Sequence, residues 1–204
     1  MNAKPLTLLS WILHTSLGWI VGIVLFEYLT RLGHNLNLQM HDGQSLVGLS
    51  MGAGVGLTQW LLLRKHAKGA FKWFWSLFLG FSFPFVMVDL VSAMVGLNPE
   101  TVPLDVQILG LLCTTVIGSS VAGYFQYNAL MKSTESSDNW IMYHSMAWVA
   151  CFLPMAIYLA SQHFEANQAA GIFILMLGGP LLGFLTGMRM IKIFSATPEE
   201  AIAR

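Results

Sequence analysis

The side chains of this sequence that can do chemistry are few, and they fall into two groups. Glu27 and Asp89 are acidic residues near the ends of long apolar segments, with Arg31, His34, His41 and Ser92 close by in sequence. Two carboxylates at one depth can supply hard oxygen ligands to a cation or share a proton. The same residues also read as a Glu27–Arg31 ion pair at helical spacing beside a separately hydrogen-bonded Asp89. The second group, His14, Gln59, Gln126, His144 and Thr186, lies toward the opposite ends of its segments. These residues read either as a polar chamber for a small solute or as clamps between helices, each interhelical bond contributing roughly 1 kcal/mol. His14 and His144, one on each of two helices, also have the residue types of bis-imidazole haem ligation. The plainer alternative is that each histidine hydrogen-bonds a helix neighbour.

Catalytic motifs are missing. There is no His-Glu-x-x-His zinc signature, no Gly-x-Ser-x-Gly elbow and no Gly-x-x-x-x-Gly-Lys phosphate loop. The glycine-rich stretch Gly52 to Gly56 lies within an apolar segment and has no lysine at the required place. Cys113 and Cys151 lie in apolar stretches and read as small hydrophobic residues, which argues against a disulfide-stapled fold. No catalytic residue, metal set or cofactor is therefore expected.

The elements that must position these groups follow from composition. Only 10% of the 204 residues are charged and 55% are hydrophobic, whereas a soluble domain carries about 25% charged residues. Mean hydropathy is +0.64. Six apolar segments, at roughly 7–29, 45–63, 71–96, 106–131, 140–161 and 169–193, are each long enough to cross a bilayer as a helix. The first reads as a retained span rather than a cleavable signal, since it runs past twenty apolar residues with only Lys4 before it. Pro84 and Pro154 fall about halfway along the third and fifth spans and predict kinks. The tail from Thr197 and Pro198 has the form of a helix start.

Six spans place nine of the ten Lys and Arg residues on one face and only Arg31 on the other. By the positive-inside rule both termini are cytoplasmic. The opposite face has the longer, acidic connections, with Asp42, Glu100 and Glu165, none large enough to form a domain of its own. A net charge of zero excludes the basic footprint of a nucleic-acid binder.

The chain also resembles itself. Gly56, Gln59, Lys65 and Trp73 match Gly123, Gln126, Lys132 and Trp140 at an offset of 67 residues. Gly118, Gly123 and Lys132 fall on Gly178, Gly183 and Lys192 at an offset of 60, with Thr186 in the glutamine place. Trp11 to Trp19 superposes on Trp140 to Trp148, and Trp73 to Phe81 has similar spacing. A two-helix hairpin repeated three times in parallel is expected, closing into a quasi-threefold six-helix bundle. Tryptophans at the starts of the odd helices belong, on this reading, in the headgroup belt. Glycines at Gly48, Gly52, Gly56, Gly118, Gly123, Gly179, Gly183 and Gly187 allow close approach of backbones, with the even helices forming the tight inner contacts.

The stretch Gly56-Leu-Thr-Gln59-Trp60-Leu-Leu-Leu63-Arg64 resembles a Gly-x-x-Gln-Trp-x-x-Leu-Arg pattern of uncharacterised bacterial membrane proteins common in cyanobacteria. Their last helix tends to carry Gly-x-x-x-Gly-x-x-Thr-Gly, which Gly179-Pro-Leu-Leu-Gly183-Phe-Leu-Thr186-Gly187 resembles. The second copy departs from it, having Gln126-Tyr127 and no arginine near Leu130. The resemblance implies a bacterial inner or thylakoid-type membrane and packing and interface roles for the matched residues, with no activity attached. The expected function is that of a non-catalytic scaffold, accessory or assembly subunit, binding lipid and a protein partner or further copies of itself. The alternatives are a small transporter or channel lined by Gln59, Gln126 and Thr186, and a haem or quinone protein using His14 and His144.

Overall fold

The computed structural model describes residues 5–36, 44–67, 69–97, 102–131, 139–160 and 168–195. The expected features at Lys4, His41, Asp42, Lys68, Glu100, Lys132, Glu165, Thr197, Pro198 and Arg204 lie outside the described residues. Among the described residues the fold is all-α, with six α-helices: α1 (Leu8–Asn35), α2 (Ser45–Leu63), α3 (Phe71–Met94), α4 (Leu104–Gln126), α5 (Trp140–Ala160) and α6 (Gln168–Ser195). A π-helical turn, Tyr127–Met131, extends α4. All six helices are long and apolar enough to cross a bilayer, and the protein is a multi-pass membrane protein. Such spans must be helical because the bilayer core offers backbone groups no other hydrogen-bond partner.

Local chemistry sets several helix ends. Thr7 caps α1, its hydroxyl accepting from the Ser10 amide while the Ser10 hydroxyl accepts from the Thr7 amide. Gly69, with φ +80°, supplies the left-handed residue before α3. Pro84, Pro154 and Pro180 all lie inside continuous helices.

Each helix packs against its neighbour in sequence, and α6 packs back on α1, so the six close into a ring. Glycine makes the closest crossings. A side chain at Gly54 of α2 would strike the backbone of Gly18 and Gly22 of α1, and one at Gly80 of α3 would lie 2.6 Å from the Ala122 backbone of α4. Gly48, Gly52 and Gly56 of α2 meet α3 at Phe85, Leu77 and Phe74, while Gly118 of α4 meets Gly80. Gly179, Gly183 and Gly187 of α6 meet α1 at Trp19, Ile12 and Trp11, and Gly123 of α4 meets Ile141 of α5. Where lipid is as apolar as the core, dispersion across such close contacts holds helices together.

The centre of the ring departs from expectation. Trp11, Trp73 and Trp140, assigned above to the headgroup belt, are at most 1% exposed. Each odd helix instead turns a row of large side chains inward at four-residue spacing. The rows begin Trp11–Thr15–Trp19, Trp73–Leu77–Phe81 and Trp140–His144–Trp148, all buried. Four residues advance little more than one helical turn, so each row stays on one face. Tight packing on the even helices is therefore lateral, against adjacent helices, and the odd helices fill the middle.

Candidate functional site

The second polar group converges at the level of the inward tryptophans. An indole N–H only donates, so each buried tryptophan needs an acceptor. Trp73 Nε1 donates to Gln59 Oε1 at 2.9 Å and Trp140 Nε1 to Gln126 Oε1 at 3.1 Å, in both cases to a glutamine fourteen residues earlier. Trp11 Nε1 donates to Thr186 Oγ1 at 2.9 Å across the closure of the ring. Thr186 in turn donates to the Leu182 carbonyl. Every clamp thus joins an even helix to the odd helix after it, α6 to α1 included. The rings also touch, Trp73 lying 6.0 Å from Trp11 and 5.8 Å from Trp140 between centroids.

One turn deeper the three rows differ. Thr15 Oγ1 accepts from Gln59 Nε2 at 3.0 Å, which gives both ends of that amide a partner. Leu77 has nothing to offer an amide. His144 is held at both ring nitrogens. Trp148 Nε1 donates to His144 Nε2 at 3.1 Å, so that nitrogen is the acceptor and Nδ1–H donates to the Ser119 carbonyl at 2.9 Å. Below this, Trp148 packs on Phe81 at 4.1 Å and on Trp19 at 5.9 Å.

The space between Trp11, Trp73, Trp140, Gln59, His144 and Thr186 does not admit a water molecule. A solute path needs a continuous wet volume and a clamp needs contact, and the geometry here is that of contact. Gln126 Nε2 is fully buried and has no hydrogen-bond partner, a polar atom that sequence inspection did not single out. Its signal was present all the same, in the leucine of the second row where the first has threonine.

His14 is half-buried, its Nδ1 2.8 Å from the Ser10 carbonyl one turn back on its own helix. It takes no part in lining the central cluster. Haem ligation would require His144 Nε2 to give up the Trp148 indole, and His14 and His144 are not brought together as a pair.

The first polar group is divided between two places. Glu27 Oε1 pairs with Arg31 Nε at 2.7 Å on the exposed face of α1. Asp89, near the end of α3, accepts from the backbone amides of Gln44 at 3.0 Å and Ser45 at 2.6 Å. It caps α2 from a different helix, satisfying donors that the first turn leaves open. That role was not read from the sequence, because nothing local links residue 89 to residue 44. Among the described residues no three of His, Cys, Asp and Glu gather as a metal set. Cys113 is exposed, Cys151 is buried, and both are free. Comparison with protein-family models, curated proteins and solved structures found no match.

Proposed function

We propose that this chain is a non-catalytic scaffold, accessory or assembly subunit of a membrane, acting through its outer surface toward lipid and toward a protein partner or further copies of itself. The observation that carries the reading is the central cluster, where glutamine and threonine are spent on indole N–H groups in a space too tight for water. A transporter would hold such groups free to exchange partners with its solute. The outer surface is correspondingly rich in large apolar side chains, such as Leu79, Phe83, Met94, Ile157 and Phe173. The recurrence of one clamp at Gln59, Gln126 and Thr186 supports the three-hairpin repeat, and the distribution of lysine and arginine supports cytoplasmic termini.

The test combines two measurements. With Cys113 and Cys151 replaced by alanine, a Thr186→Cys variant in vesicles should resist a membrane-impermeant thiol reagent added from either side. Native mass spectrometry of gently extracted protein should show a homo-oligomer or a stoichiometric partner. Rapid labelling, or a monomer retaining a small solute, would overturn the scaffold in favour of the transport path.

A further inference from the structure

The α2–α3 turn brings a cluster of aromatic side chains together with a group of exposed cations. Trp60, Phe71, Phe74, Trp75 and Phe78 form an unbroken aromatic cluster, with neighbouring centroids 5.2 to 5.9 Å apart. Phe71 and Trp75 are exposed and lead into Leu79 and Phe83, also exposed, at four-residue steps down the outside of α3. One end of this apolar stripe is cationic. Arg64 stacks over Trp60 at 5.7 Å, and Arg64, Lys65 and Lys72 are all exposed. No acidic residue occurs between Asp42 and Asp89, whereas the segment after Lys132 has Glu135 and Asp138 and the tail has Glu199 and Glu200. A ligand matching both parts has a negative head and a long apolar tail, lying along the helix with its head at the membrane surface.

We propose that this turn is a binding site for an anionic phospholipid, its phosphate held by Arg64 and Lys72 and an acyl chain lying along Phe71, Trp75 and Leu79. The proposal deepens the surface-binding reading and rests on it. Each cation at headgroup level is worth roughly fivefold in preference for an anionic lipid. The interaction weakens with salt.

Tryptophan fluorescence reads the site directly. Trp11, Trp19, Trp73, Trp140 and Trp148 are at most 1% exposed, so lipid-borne quenchers reach chiefly Trp60 and Trp75. The full chain is reconstituted in phosphatidylcholine containing brominated phosphatidylglycerol or, in parallel, brominated phosphatidylcholine. Brominated phosphatidylglycerol should reach half-maximal quenching at a several-fold lower mole fraction, and Trp75→Phe should remove most of the signal. Arg64→Gln with Lys72→Gln should erase the preference, while Arg64→Lys with Lys72→Arg should keep it. Equal quenching by the two lipids, a preference that survives the double glutamine variant, or shielding from both lipids by a bound protein helix would each overturn the site. None of these results bears on the Thr186→Cys labelling, so the scaffold reading stands or falls separately.

Discussion

The α1–α2 and α5–α6 hairpins put the same aromatic rows into the core by different means. In α1–α2, Gly18 lies seven residues after Trp11 and lets the backbone of α2 come into direct contact at Gly54, and Gln59 then reaches Thr15. In α5–α6 the residue seven after Trp140 is Ala147. These two helices touch least of any neighbours in the ring. Each is tied outward instead. Trp140, His144 and Ser145 of α5 bond to Gln126, Ser119 and Ser120 of α4, and Thr186 and Leu175 of α6 accept from Trp11 and Trp19 of α1. The indole clamps thus run from each even helix to the following odd one, across rather than within the sequence-adjacent hairpins.

The sharpest way to break this contrast is to give α1 the residue of α5. Gly18→Ala should cost roughly 2–3 kcal/mol by overpacking against Thr58 and the Gly54–Val55 backbone. A drop in the melting temperature of the detergent-solubilised protein would register it. Next come the amides. Gln59→Leu removes two bonds and strands the Trp73 indole, for about 2 kcal/mol. Gln126→Leu removes one bond and also an unpartnered buried donor, so its cost should be about half as large. Equal losses for the two glutamines in the same unfolding assay would erase the distinction between the rows. Asp89→Ala should cost about 1 kcal/mol through the lost cap, read as faster amide hydrogen exchange confined to the start of α2. Of similar size is Ala147→Gly, which puts glycine at a buried position inside α5 and should cost about 1 kcal/mol while bringing spin labels on α5 and α6 closer.

The six spans were legible because hydropathy and helix length are local properties. Observed bounds such as Ser45–Leu63 and Phe71–Met94 follow the apolar segments closely. Which face of a span turns inward is not encoded in the same way, since lipid and protein core are equally apolar. Trp73 at a helix start fits the headgroup belt as well as the core, and only a partner fourteen residues earlier separates the two. Gln59 and Gln126 were found by their repetition, which is independent of environment. Asp89 reads either as a cation or proton ligand or as a hydrogen-bonded carboxylate, and the structure has the second. Its partners were not legible because the amides it caps belong to another helix 44 residues away.

The closure of the ring between the first and last helices bears on how the protein is made. α1 is synthesised before α6, yet the acceptors for its two buried indoles, Thr186 and the Leu175 carbonyl, lie on α6. Until α6 is made, Trp11 and Trp19 carry donors whose native partners do not yet exist, in a solvent that cannot replace them. Arrival of α6 satisfies both at once, so a chain interrupted before α6 leaves two buried indoles without their acceptors.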